Sequence, residues 1–268
     1  MALDQLMKSI WNEYSTLNPQ VGVVHKLLKG KSESIENDHI AYRTVRHDGL
    51  GINSLANHFE KYGYKLSGEY FFKEKKLYAQ HFKGPETNSP KVFISEIILD
   101  DFSDKLKTLI KDAVKKIPSG YFKEEKSLYS GAPWGKVKYK DYISIVDESE
   151  YAAWLLVFGF RVNHFTVNVN LLKNFKDLVE LNTFLKSNGI ALNSAGGEIK
   201  GNPKEYLEQS STLANKIKVQ FLEGEYEIPS CYYEFAKRYP MPNGELFQGF
   251  VATSADKIFE STNLKSSK

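Results

Sequence analysis

The two halves of the chain repeat one order of predicted elements, and each repeat begins with a histidine in a strand-like run. His39 lies in "NDHIAYRTV", which alternates along an extended chain, and a predicted helix then ends near Gly63. His164 lies in "RVNHFTVNV", and the helix that follows ends near Gly189. The spacing from histidine to glycine agrees to within one residue, and glycine is the residue that best adopts the positive φ of a helix C-terminus. The repeat predicts two similar modules.

Three further strand-like runs follow the helix in each half. They are 69–74, 77–84 and 91–99 in the first half, and 217–222, 225–230 and 244–252 in the second. An extra helix is predicted at 203–215, begun by Pro203. The pattern predicts an α+β fold of two β-α-β-β-β modules, about 36–100 and 160–253.

The segment between the modules, 101–159, is predicted to be helical. It contains two amphipathic or apolar stretches that begin after Ser103 and Ser149, residues that commonly cap helix N-termini. A helical connection differs from a flexible Ser/Gly tether. We therefore expect residues 1–268 to form a single fused domain.

Composition excludes several classes of protein. The 36 basic and 33 acidic residues give a net charge of +3, too balanced to predict nucleic-acid binding. The longest apolar run, 151–160, is too short to span a bilayer, so no membrane partner is expected. The one cysteine, Cys231, excludes an intrachain disulfide, which fits a reducing compartment and predicts the cytoplasm.

Carboxylates complete the repeat. Glu96 lies on the last predicted strand of the first half, and Glu245 on that of the second. Paired modules with such histidines and carboxylates resemble the vicinal oxygen chelate architecture, in which strands curl around a divalent metal. Two imidazoles and a carboxylate can occupy one face of an Fe(II) ion and leave positions open for substrate and O2.

Four stretches give a narrower resemblance, to the 2-oxoadipate dioxygenase/decarboxylase (2-hydroxyglutarate synthase) family. They are "DHIAYRT", "VFISEIILDD", "VNHFTVNVN" and "GELFQGFVATSADKIFEST". The resemblance implies that His39, His164 and Glu245 are the metal ligands. It also implies that Arg43, four residues after the first histidine, is the catalytic residue that binds a substrate carboxylate.

The activity implied by the resemblance uses Fe(II) as the cofactor, with a small 2-oxo acid and O2 as partners. 2-Oxoadipate binds through its 2-oxo acid end, O2 reacts, carbon dioxide leaves, and the five-carbon product is 2-hydroxyglutarate. Redox chemistry of this kind requires a metal or cofactor, because side chains cannot supply it.

Two other functions fit the same pattern. A metal-dependent isomerase or lyase of the glyoxalase type would use a non-redox metal and a catalytic base, with Glu96 as a fourth ligand. A binding protein without turnover would hold a small acid in the cavity between the modules. For the dioxygenase we expect Glu96 to accept a hydrogen bond from a metal ligand without contacting the metal itself, since a buried carboxylate requires a partner.

Overall fold

The computed structural model of the chain describes residues 2–31, 33–252 and 259–262. The helices are α1 (Leu3–Leu17), α2 (Gln20–Gly30), α3 (Ile52–Glu60), α4 (Asp104–Val114), α5 (Tyr139–Val146), α6 (Glu150–Phe158) and α7 (Leu178–Ser187). The strands are β1 (Asn37–Val45), β2 (Lys65–Phe72), β3 (Leu77–Lys83), β4 (Lys91–Ile97), β5 (Val162–Asn168), β6 (Lys200–Asn202), β7 (Leu207–Ser211), β8 (Lys216–Gln220), β9 (Glu225–Pro229) and β10 (Tyr232–Arg238).

Eight strands form one strongly curled sheet in the order β2-β3-β4-β1-β5-β10-β7-β6. The first four strands belong to the first half of the chain, and the second half supplies the other four in mirrored order. The halves join where β1 pairs antiparallel with β5, with Ala41 opposite His164. The predicted α+β fold with a curled sheet of two modules is confirmed.

The first half follows the prediction element by element, as β1, α3, β2, β3 and β4. Gly63 and Gly189 both have a positive φ, at 86° and 80°. The connecting helices α4 and α6 begin as predicted, because the hydroxyls of Ser103 and Ser149 accept hydrogen bonds from backbone N–H groups in the first turn.

The second half differs from the prediction. The runs at 217–222 and 225–230 form a separate hairpin, β8–β9, and the run at 244–252 is a turn with one isolated β-bridge in place of a strand. The predicted helix at 203–215 is a short 3-10 turn followed by strand β7. The last strand of this half is β10, in which six of seven residues are buried, and a strand covered on both faces lacks the alternation that reveals a strand in sequence.

The two faces of the sheet carry different residues. On one face, Tyr42 packs against Phe59 of α3, and Phe165 packs against Trp11 and Tyr14 of α1. The other face, called the site face below, carries the polar side chains of β1, β5 and β10 and is contacted by α6. Within the described residues, no helix is long and apolar enough to cross a membrane.

Candidate metal centre

Three side chains from three strands converge on the site face. His39 on β1, His164 on β5 and Glu234 on β10 place ligand atoms within 4.8 Å of one another. Nε2 of His39 lies 3.4 Å from Oε1 of Glu234, and Nε2 of His164 lies 3.3 Å from Oε2 of the same carboxylate. All three residues are buried.

Strand register explains the convergence. His164 lies beside Ala41 on one neighbouring strand and beside Tyr232 on the other. Because side chains alternate along a strand, His39 and Glu234, each two residues from those positions, point to the same face as His164. The three residues therefore meet where the two halves of the sheet join.

The geometry fits a divalent metal ion. Bonds of about 2.0–2.2 Å to imidazole and carboxylate place neighbouring ligand atoms roughly 3–3.5 Å apart, which matches the two measured separations. Oε2 of Glu234 is buried and has no hydrogen-bond partner within the described residues. An unpaired buried carboxylate oxygen is costly unless a cation binds it. Two imidazoles and one carboxylate form a donor set used for Fe(II) and similar ions.

The protonation states suit ligation. Burial lowers the pKa of His39 and of His164, so both imidazoles are neutral near pH 7 and each can offer a lone pair. Burial raises the pKa of Glu234 to about 8, although Gln209 donates a 2.5 Å hydrogen bond to Oε1. A bound cation would favour the ionised carboxylate.

A charged network supports His39. Its Nδ1 lies 2.8 Å from Oδ1 of Asp38, and Arg238 donates hydrogen bonds to both oxygens of that carboxylate at 2.6 and 2.8 Å. Burial opposes the ionisation of Asp38, but the charge of Arg238 holds its pKa well below the usual range. The ionised carboxylate accepts the Nδ1 proton of His39, so Nε2 carries the lone pair, and the hydroxyl of Thr166 lies 3.0 Å from that nitrogen.

Arg238 also fixes the chain that follows β10. Its Nη1 donates to the backbone oxygens of Phe247 and Gly249 at 3.0 and 2.7 Å, and the ring of Phe250 lies beneath its guanidinium. The edge of that ring meets His39, with centroids 4.8 Å apart. One arginine thus positions both a candidate ligand and an aromatic side chain beside it.

The support for His164 is weaker. Its Nδ1 lies 3.3 Å from the amide oxygen of Asn163, a neutral and longer contact than that of His39 with Asp38. The ring of Tyr232 stacks on His164 with centroids 4.6 Å apart. Packing, more than charge, therefore orients His164.

Arg43 is buried on the site face of β1, two residues after Ala41. Its Nη1 pairs with Glu150 at 3.0 Å, and Nη2 donates to the hydroxyl of Thr262 at 3.1 Å. The guanidinium also lies over the ring of Trp154 in α6. Ala41 lies opposite His164, and Arg43 is two residues further along the same face of β1, so its backbone lies close to the candidate metal centre.

Glu245, predicted from sequence to be the third ligand, does not join the two histidines. It is exposed in a turn after β10, where Asn243 donates to its carboxylate at 3.1 Å. The reason is the misplaced last strand: the strand beside β5 is β10, so the carboxylate that reaches the histidines is Glu234. Residues 253–258 of the sequence stretch that included Glu245 lie outside the described residues.

Glu96, predicted to lie near the metal, occupies the opposite face of the sheet. It is adjacent to Thr44 rather than to a site-face residue of β1. Its carboxylate accepts from Nε of Arg46 at 2.6 Å and from the backbone N–H of Ile52 at 3.1 Å. Glu96 therefore anchors the start of α3, on the face of the sheet away from His39 and His164.

Sequence reasoning missed Glu234 and Asp38 for different reasons. Glu234 lies in the buried strand "YYEFAKR", where alternating Tyr232, Glu234 and Arg238 gave a weak signal of a site face. Asp38 adjoins His39, so simple alternation points it away. A register shift between Asn37 and His39 interrupts that alternation and brings the two side chains together.

The curled sheet and the three convergent side chains define a protein of vicinal oxygen chelate fold with a candidate metal centre. A glyoxalase superfamily protein from Ralstonia eutropha JMP134 has the same fold, with a TM-score of 0.73 at 17% identity over 91% of this chain and 84% of that one. The chain belongs to the 2-oxoadipate dioxygenase/decarboxylase family, whose sequence model matches residues 2–125 and 126–247.

Named relatives agree with this family. The chain is 34% identical to the chloroplastic 2-oxoadipate dioxygenase/decarboxylase of Arabidopsis thaliana, over 98% of this chain and 79% of that protein. It is similar to the crystal structure of the hydroxyglutarate synthase from Oryza sativa in complex with 2-oxoadipate, with a TM-score of 0.91 at 33% identity, over 98% of this chain and 92% of that one.

Proposed function

We propose that the protein is an Fe(II)-dependent dioxygenase that converts 2-oxoadipate, or a similar 2-oxo acid, and O2 to 2-hydroxyglutarate and carbon dioxide. The observation that carries the proposal is the convergence of His39, His164 and Glu234 in a chain of this family. The reaction balances, because both oxygen atoms of O2 appear in the two products.

In this proposal His39, His164 and Glu234 hold the metal. Bound iron would supply a Lewis acid and the one-electron chemistry that O2 requires. Three protein ligands leave positions open for the 2-oxo acid and O2. Asp38 and Arg238 keep Nε2 of His39 directed at the metal, so the chain's own contribution is a preformed site.

The charges around the centre favour a dicarboxylate. The buried cations Arg43, Lys91 and Arg238 are matched by the carboxylates Asp38, Glu150 and Glu234. A divalent metal would add two positive charges, and a substrate with two carboxylates would cancel them. The solved relative from Oryza sativa holds 2-oxoadipate, an acid of this charge.

Arg43 is the proposed residue for a substrate carboxylate. It lies on the site face two residues after Ala41, which is opposite His164, and its guanidinium fork can bind a carboxylate through two parallel hydrogen bonds. Glu150 already pairs with one nitrogen, at 3.0 Å. The pair with Glu150 would hold the guanidinium in place before substrate arrives, which reduces the cost of ordering it on binding.

The test is anaerobic reconstitution with Fe(II), followed by O2 uptake with a panel of 2-oxo acids. We expect uptake with 2-oxoadipate, equimolar carbon dioxide and 2-hydroxyglutarate, and no uptake by the Zn(II)-loaded protein. Isomerase or lyase chemistry with Zn(II) would contradict the proposal. Tight binding of 2-oxoadipate without O2 uptake by the iron-loaded protein would instead indicate a binding protein.

The cytoplasm stays a prediction. Cys231, the one cysteine of the sequence, is buried, so the prediction rests on the lack of an intrachain disulfide. The plant relatives are named chloroplastic or chloroplastic/amyloplastic. Fractionation of the cells that produce this protein would decide the compartment.

A further inference from the structure

Tyr232 has a buried hydroxyl group, and its ring packs on one of the candidate metal ligands. The residue is fully buried on β10, two positions before Glu234 on the same face of the strand. Its ring stacks on that of His164 with an interplanar angle of 25°. Its hydroxyl has no hydrogen-bond partner within the described residues.

Three other buried tyrosine hydroxyls do have partners. Tyr14 donates to the backbone oxygen of Tyr232 at 2.6 Å, Tyr151 donates to that of Ser95 at 2.6 Å, and the hydroxyl of Tyr233 lies 2.9 Å from His25. A buried hydroxyl without a partner costs free energy relative to one in water. The cost at Tyr232 is therefore one that a ligand could remove.

Strand register places Tyr232 among the candidate metal ligands. It lies beside His164 across the β5–β10 pair, and Glu234 follows two residues later on the same face of β10. A phenol hydroxyl can donate a hydrogen bond as well as accept one.

We propose that Tyr232 is a substrate-binding residue whose hydroxyl donates a hydrogen bond to an oxygen of the 2-oxo acid group held at the metal centre. The assignment rests on the proposed function. It specifies the oxo-acid end of the substrate, because the ring stacks directly on His164, one of the candidate ligands. A donor at this point would select for a ligand with an anionic or carbonyl oxygen next to the metal.

Tyr42 offers a matched control. Its hydroxyl is equally buried and also has no hydrogen-bond partner within the described residues, but it lies on the opposite face of the sheet, against Phe59. Tyr42→Phe and Tyr232→Phe thus remove the same atom from two buried positions, and only one position faces the site. Neither change should lower the melting temperature, since neither hydroxyl makes a hydrogen bond that would be lost.

The experiment measures metal content and anaerobic binding of 2-oxoadipate to the Fe(II)-loaded full chain by calorimetry. We expect both variants to retain iron. Tyr232→Phe should raise the Kd for 2-oxoadipate about tenfold, in line with the loss of one hydrogen bond to a charged group. Tyr42→Phe should leave the Kd unchanged.

A second ligand tests which end of the substrate is bound. 2-Oxohexanoate has the same oxo-acid end and no distal carboxylate, so Tyr232→Phe should weaken its binding by the same factor. Equal affinity of Tyr232→Phe and wild type for 2-oxoadipate would overturn the assignment, and so would a loss confined to 2-oxoadipate. Failure of the wild-type chain to bind Fe(II) or 2-oxoadipate would instead overturn the proposed function, and the assignment with it.

Discussion

The two halves of the sheet share a backbone plan but contribute unequally to the candidate metal centre. In the second half Tyr232 lies beside His164, and Glu234 follows two residues later. In the first half Lys91 lies beside His39, and the residue two positions later is Phe93. Equivalent positions of the two halves therefore hold a carboxylate, Glu234, on β10 and an aromatic ring, Phe93, on β4. The repeat preserves topology, whereas the ligands are specific to each half.

This asymmetry divides the site into two parts. The first half supplies His39 and the rings of Tyr70, His81 and Phe93, which contact Phe250 of the second half. The second half supplies the other two candidate ligands. A metal held by ligands from both halves requires β1 to pair with β5, so metal binding should stabilise the join between the halves.

The largest effect is expected from removing the carboxylate that only the second half supplies. Glu234→Ala should lose most of the bound Fe(II), because two imidazoles alone form a poor site. Glu245→Ala is the control and should retain it, since that side chain is exposed in a turn. Metal analysis of the reconstituted proteins checks both. Full iron occupancy in Glu234→Ala, or its loss in Glu245→Ala, would reverse the ligand assignment.

The next effect compares the supports of the two histidines. Asp38→Asn should weaken Fe(II) binding by about 10- to 100-fold, because it removes the charged acceptor that orients His39. Asn163→Ala should have a smaller effect, since its contact with His164 is neutral and 3.3 Å long. Competition with a chelator of known affinity measures both. Equal losses in the two variants would contradict the difference between the halves.

A smaller effect is expected at Arg43. Arg43→Lys keeps the charge but loses the planar fork, so it should retain iron and lower kcat/KM for 2-oxoadipate about tenfold. Arg46→Lys is the matched control, because the Arg46 side chain is 51% exposed and pairs with Glu96 on the opposite face. Steady-state O2 uptake compares the two. Unchanged efficiency in Arg43→Lys would rule out the proposed carboxylate contact.

The smallest functional effect is expected at the other glutamate of the repeat. Glu96→Ala should leave metal content unchanged and lower the free energy of unfolding by about 1–2 kcal/mol, because it removes the acceptor for the first turn of α3. Its pair with Arg46 should add little, since that arginine is half exposed. Denaturant titration measures the change. Loss of iron would place Glu96 near the metal after all.

Sequence patterns predicted the elements whose apolar residues repeat at a regular spacing, or whose ends are marked by a capping residue or a glycine. Residue types and their spacing along the chain were enough to predict the first module, the capped connecting helices and the two glycines with positive φ. The second module was harder to read, because β10 is buried on both faces and β8–β9 interrupts the order of strands. Because the last strand was predicted at 244–252, the predicted ligand set contained Glu245 and not Glu234, the carboxylate that the structure places beside both histidines.

The sequence by itself determined the repeat, the paired histidines and the family, because these depend on residue identity and spacing along the chain. Only the tertiary structure decided which carboxylate joins His39 and His164, since strand order and register bring Glu234 to residues that lie 195 and 70 positions before it in the chain. The same holds for Asp38, which a register shift turns toward His39, and for Glu96, which alternation places on the opposite face. Ligation depends on distances of about 2 Å, and such distances are set by how strands pair in three dimensions.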